Sequence, residues 1–174
     1  SLELDMIVVS GGASVGEKDY TPLLVNRLGK PGLVVHGIAM KPGSPTGLGI
    51  VRNTPIIICP GFPVSAYAAF STFGLPILSK LLGTQGPVKA RLMAKITNDI
   101  TVHRGFLTFV RVIVYRHNNA FLARPVSASG PSLISTLTNS NGIVAVNNRI
   151  AHVNVIRKGE VVEVTLFKNI QETT

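Results

Sequence analysis

The chain has one cysteine, no tryptophan and only eight acidic residues in 174. The single Cys59 cannot form an intramolecular disulfide, as expected in a reducing compartment. No apolar run approaches the roughly 18 residues that a membrane helix needs, and no basic n-region opens the sequence. A soluble, cytoplasmic protein with no membrane partner is therefore expected. Aromatic residues are only 6% of the chain, with no RNP-like or helix-turn-helix pattern, which argues against a nucleic-acid partner. His36, His103, His117 and His152 are scattered without zinc-ligand spacing, and no Ser-His-Asp arrangement can be built. Cys59 ends an apolar run and reads as core rather than as a nucleophile.

A hydrophobic content of 45% points to a folded, well-filled core. The scarcity of acids leaves a net charge of +9, unevenly spread. Residues 1–86 carry six Lys/Arg against four Asp/Glu, and residues 87–174 carry eleven against four. The basic residues of the second half, including Arg111, Arg116 and Arg124, are dispersed along expected strands. A basic face beside an anionic small-molecule site accounts for this charge as well as nucleic acid does.

The first half alternates strand and helix signals. Residues 5–9, 32–40 and 55–59 read as strands. Tyr20, Leu23, Leu24 and Leu28 fall at helical spacing, with Asp19 as a possible N-cap and Gly29 as a stop. A longer helix is expected over 64–82, with Tyr67, Phe70, Gly74, Ile77, Leu78 and Leu81 on one stripe. Pro76 predicts a kink or break in it near Gly74. The turn-rich stretch 83–87 reads as a domain boundary, separating residues 1–86 from 87–174. Beyond it, residues 88–96, 106–115, 120–125, 142–146 and 161–166 read as short strands of a small β-barrel or sandwich. A short helix is expected over 132–137. The expected fold is thus a doubly wound α/β sheet, partial because its turn follows the first strand so early, and then a barrel-like β domain.

Three turns carry the chemistry. Gly11-Gly12-Ala13-Ser14-Val15-Gly16 follows the first strand, and its glycines allow backbone N–H groups to approach an anion. A plain strand-to-helix turn explains those residues equally well, and they form neither a dinucleotide fingerprint nor a P-loop. Asp19 behind the turn is either a helix cap or a carboxylate for a hard cation, with Glu17 a weaker second. In Lys41-Pro42-Gly43-Ser44-Pro45 the Pro-Gly pair would hold the Lys41 ammonium in place. Pro60-Gly61-Phe62-Pro63-Val64-Ser65 is similarly rigid, and Ser65 could cap the following helix or donate to a ligand oxygen. All three are expected along one edge of the sheet, where open α/β sheets bind ligands.

In order and spacing these turns resemble those of the molybdopterin molybdenumtransferase family, the MoeA and gephyrin E-domain group. Gly11, Gly12, Ser14, Val15, Gly16, Glu17, Asp19 and Tyr20 match a Gly-Gly-Val-Ser-Val-Gly-Glu-x-Asp-Tyr signature. The second turn matches Lys-Pro-Gly-x-Pro, and the third matches Pro-Gly-Asn-Pro-Val-Ser apart from Phe62 in place of Asn. Phe109-Val110-Arg111 and Gly130-Pro131-Ser132-Leu133 are also similar to family positions. Ser44 stands where many members carry a second lysine, and full-length members are more than twice as long.

The resemblance implies insertion of molybdate into adenylylated molybdopterin with release of AMP, assisted by Mg²⁺ or a similar divalent cation, in a homodimer. It implies that Asp19 serves the metal-dependent cleavage and that Lys41 is catalytic. Gly11, Gly12, Ser14 and Gly16 would hold the pterin or nucleotide. Pro42, Gly43, Ser44, Pro45, Pro60, Gly61, Pro63 and Ser65 would line the pterin and molybdate pocket, and Arg111 and Ser132 would offer oxyanion contacts. The alternatives are a non-catalytic molybdopterin-binding or scaffold module, and a molybdopterin adenylyltransferase. The adenylyltransferase fits Glu17-Lys18-Asp19-Tyr20 and the trailing β domain less well.

Overall fold

The computed structural model describes residues 3–12, 20–126, 134–148 and 154–172. They fall into two compact units: Ser1–Ile38 with Pro42–Pro87, and Ala39–Lys41 with Val88–Thr174.

The first unit is built on β1 (Ile7–Ser10), α1 (Thr21–Leu28), β2 (Pro31–His36), β4 (Gly47–Val51) and β5 (Thr54–Cys59); β3 (Met40–Lys41) belongs to the second unit. The sheet order is β1-β5-β4-β2. β1 runs parallel to β5, from Ile7 opposite Ile56 to Ser10 opposite Cys59. β4 is antiparallel to both β5 and β2, so the sheet is mixed. Ile56, Ile57, Ile58 and Cys59 are all buried, as suits a central strand covered on both faces. Ile56 and Ile58 pack with Val25 of α1 and Val51 of β4. α2 (Pro63–Ala69) and a π-helical turn Phe70–Gly74 pack against β5, and α3 (Leu75–Leu81) continues the helical run from that turn.

Several expectations change here. The strand expected over 32–40 ends at His36, because Gly37 takes φ 84° and turns the chain. β4 has no counterpart in the sequence reading, since Gly47 and Gly49 dilute its strand signal. Those glycines are required: a Cβ on Gly49 would lie 2.7 Å from the Gly32 carbonyl oxygen. Gly49→Ala is therefore expected to cost about 1–3 kcal/mol, read as a lowered midpoint in urea unfolding. The helix expected from the spacing of Leu23, Leu24 and Leu28 forms as α1, with those leucines exposed and Val25 buried. The N-cap is Tyr20 rather than Asp19. The helix over 64–82 continues through Gly74 by widening into the π turn, with Pro76 in the first turn of α3.

The second unit contains β6 (Arg91–Ile96), β7 (Ile100–Thr101), β8 (Leu107–His117), β9 (Ala120–Pro125), α4 (Ser135–Thr138), β10 (Gly142–Asn147), β11 (Val155–Ile156), β12 (Val161–Leu166) and β13 (Gln171–Glu172). The order β10-β12-β6-β9-β8 closes through β10 pairing with β8, giving a five-stranded barrel. The long β8 makes closure possible: it pairs with β10 over residues 107–112 and with β9 over residues 112–117. Asn118 and Asn119, with φ 45° and 63°, make the β8–β9 hairpin turn. Ala94, Ile96, Val112, Val114, Ala123, Val144 and Val164 fill the interior. β3 adds to β8 in parallel, Met40 opposite Leu107 and Lys41 opposite Thr108.

Exposed Asp99 ties two turns of this unit together. Its Oδ1 accepts the Lys158 N–H at 2.7 Å and its Oδ2 accepts from Arg157 Nη1 at 3.2 Å. The Lys158 N–H, helped by Arg157, holds the carboxyl below its ordinary range. A depressed carboxyl contributes stability that is present above its unfolded pKa and lost as pH falls through the folded one. Unfolding measured from pH 7 down to pH 2 should therefore show a shallower acid limb for Asp99→Asn than for the parent.

Candidate functional site

In the first unit, strand direction gathers the three turns. The C-terminal ends of β1 and β5 lie side by side, and Gly47, which opens β4, pairs with Ile58 near the end of β5 and with His36 at the end of β2. Residues 11–12, 60–62 and 42–46 therefore share one edge of the sheet. This is the carboxyl edge at which α/β sheets take ligands.

The first and third turns meet backbone to backbone. The Gly11 N–H donates to the Cys59 carbonyl at 3.0 Å, and a Cβ placed on Gly61 would lie 3.7 Å from Gly11 Cα. Gly11 and Gly12 take φ 87° and 63°, conformations that favour glycine. A Cβ on Gly12 would run into Thr21 Oγ1. Pro60 is buried, Gly61 and Phe62 are exposed, and Pro63 starts α2. Ser65 is buried within the first turn of α2; Phe62 occupies the N-cap, so the capping role considered for Ser65 is not the one observed.

The 42–46 turn is locked by a residue the sequence reading passed over. Buried Thr46 donates through Oγ1 at 2.6 Å and through N at 3.1 Å to the Gly43 carbonyl. Ile38 N donates to Ser44 O at 2.8 Å, and Gly37 N to Thr46 O at 3.1 Å. Gly43 takes φ 114°, so Pro42, Gly43, Ser44 and Pro45 form a fixed loop closed on β2 and β4. A threonine hydroxyl reaching back to the carbonyl three residues earlier is a recognisable local motif, and it was the available signal.

Lys41 and Arg111 lie in the second unit. Lys41 sits on β3 beside β8, with its Nζ 4.7 Å from the centroid of the Phe106 ring. Arg111 lies three residues beyond Thr108 on β8. It is half-buried, its Nε is buried without a hydrogen-bond partner, and its Nη1 reaches only the Phe109 carbonyl at 3.5 Å. Burial lowers its proton affinity, yet a guanidinium remains a cation at neutral pH. A half-buried cation with an unsatisfied donor is suited to an oxyanion. Ser14, Gly16, Asp19 and Ser132 lie outside the described residues.

Burial pushes the Cys59 thiol up, consistent with a core residue that keeps its proton. Among the described residues no three His, Cys, Asp or Glu side chains come together to hold a metal. A cavity of about 320 Å³ lies in the second unit between β10 and β12, and none of the expected site residues lines it. No helix among the described residues is long and apolar enough to cross a membrane.

The α/β sheet with its glycine-edged turns and the closed five-stranded barrel each match a known family model. Residues 1–80 match the family model described as "Probable molybdopterin binding domain", and residues 93–167 match "MoeA C-terminal region (domain IV)". The chain belongs to the molybdopterin molybdenumtransferase (MoeA) family. It is 31% identical over 157 residues to molybdopterin molybdenumtransferase 2 of Mycobacterium tuberculosis, covering 88% of this chain and 38% of that protein. It is 28% identical to the Bacillus subtilis molybdopterin molybdenumtransferase, covering 82% of this chain and 33% of the relative. Among solved structures, a molybdopterin biosynthesis MoeA protein of Pyrococcus horikoshii superimposes with a TM-score of 0.73 at 31% identity, over 95% of this chain and 38% of the other. The chain thus spans between a third and two fifths of the length of these relatives.

Proposed function

We propose that the chain works in molybdenum cofactor biosynthesis, as the part of a molybdenumtransferase that inserts molybdate into adenylylated molybdopterin and releases AMP. The observation that carries this reading is the convergence of the three signature turns on one carboxyl sheet edge, with Gly11 N–H bonded to Cys59 O. Gly11, Gly12, Ser14 and Gly16 present backbone and hydroxyl groups to the pterin or nucleotide, since only residues without bulk let an anion approach the main chain. Pro42, Gly43, Ser44, Pro45, Pro60, Gly61, Pro63 and Ser65 shape a rigid rim, which lowers the ordering cost of binding.

Lys41 and Arg111 neutralise the growing negative charge of the released phosphate and of the oxyanion, with Ser132 as a further donor. Asp19 is the carboxylate assigned to cleavage of the adenylate. The Mg²⁺ expected with it is tested separately: treatment with EDTA should stop AMP release and added Mg²⁺ should restore it. A homodimer is expected of the full-length protein.

Calorimetry of the full-length protein with AMP, molybdate and molybdopterin tests the reading directly. Saturable binding of molybdopterin and AMP is expected. Absence of binding by all three would leave only a scaffold role, which the exposed Phe62, standing where the family has Asn, would then serve.

A further inference from the structure

The Lys41 ammonium has an unusual partner for a cation in a chain so poor in acids. Among the described residues the two ion pairs are Arg91–Glu163 and Arg157–Asp99, and neither involves Lys41. What meets its Nζ is the face of the Phe106 ring, 4.7 Å from the centroid. We propose that Phe106 is a positioning residue that holds the Lys41 ammonium in place for an anionic substrate; this rests on the role given to Lys41 above.

Phe106 is itself held, at its backbone by two hydrogen bonds and at its ring by His103. The Phe106 carbonyl accepts the Asn148 N–H at 3.1 Å, and the Phe106 N–H donates to the His103 carbonyl at 3.3 Å. The His103 ring meets the Phe106 ring edge-on, with centroids 6.4 Å apart and planes at 73°. The next residue, Leu107, donates its N–H to Ala39 at 2.8 Å, which binds the start of β3 to the same strand. Lys41 and Phe106 are therefore fixed to each other by a β ladder as well as by the ring contact. The pair is 65 positions apart in sequence, so no local pattern could have shown it.

The choice of an aromatic partner has a chemical consequence. A carboxylate would fix the ammonium equally well, but it would cancel the charge that a phosphate or molybdate needs. The ring quadrupole attracts the cation while leaving its net charge intact. A positioned, uncancelled lysine is what binding of a polyanion requires.

The test compares Phe106→Leu and Phe106→Tyr in the full-length protein. Lysine ε-methylene signals are read by ¹H–¹³C NMR and assigned with Lys41→Met. In the parent, the Lys41 signal should be shifted upfield by the ring current relative to the other lysines. Phe106→Leu should abolish that shift and raise the KM for adenylylated molybdopterin about tenfold, with kcat changed far less. Phe106→Tyr should restore both. An unshifted Lys41 signal in the parent, or a shift that survives Phe106→Leu, overturns the positioning role, and the parent spectrum decides this even if a variant fails to fold. A lost shift with an unchanged KM also overturns the proposal. If Lys41→Met is then equally without effect, the fault lies in the substrate role given to Lys41, not in the ring contact.

Discussion

Replacing Asp19 by asparagine in the full-length protein is expected to lower the rate of AMP release by roughly a hundredfold or more, the scale at which a single group stabilising charge in a transition state acts. The substitution keeps size and one acceptor oxygen, replaces the other oxygen with an amide donor, and removes one negative charge. Thermal unfolding should be nearly unchanged, and molybdopterin binding should persist, because the contacts proposed for the glycine turn come from backbone groups and do not depend on that charge. An Asp19→Asn protein that releases AMP at the parent rate would remove Asp19 from the reaction.

The largest stability effect is expected at Asn141, which is 3% exposed. Its Oδ1 accepts the Val114 N–H at 2.7 Å, and its Nδ2 donates to the Val114 carbonyl at 2.8 Å and to the Asn169 carbonyl at 3.1 Å. One side chain thus binds β8 to the segment before β13. Asn141→Ala leaves these backbone groups without their partner, at about 1–3 kcal/mol for each buried group. The expected loss is about 3–5 kcal/mol, seen as a fall in Tm of about 15 °C or more for a unit of this size. Asn148 provides the contrast. It is fully buried, but neither side-chain amide atom has a hydrogen-bond partner. Asn148→Leu removes an unsatisfied amide and no bond, so it should be neutral or stabilising. Two buried asparagines should therefore respond with opposite signs in the same denaturation assay.

What could be read before the fold was known follows from how local each determinant is. β5 was legible because an unbroken apolar run ends in Pro-Gly, and the β8–β9 turn because Asn118-Asn119 tolerates positive φ. The three signature turns were legible in kind and in order. β4 was hidden because its strand character depends on glycines that let β2 and β5 approach, a tertiary requirement with no propensity signal. The leucines of α1 fall at helical spacing, and periodicity reports an apolar face without saying what covers it. In this structure that face is exposed and Val25 alone is buried. Thr46 was within reach of local reasoning, whereas the ring beneath Lys41 was not, since it belongs to Phe106, just before β8 and far along the chain.

The three turns are proposed to serve one reaction on adenylylated molybdopterin. The most direct measurement loads the full-length protein with that compound and follows AMP by rapid quench as molybdate is added. The account predicts AMP release that requires molybdate and reaches one equivalent per active site. No release on addition of molybdate, or the same release without it, would contradict it.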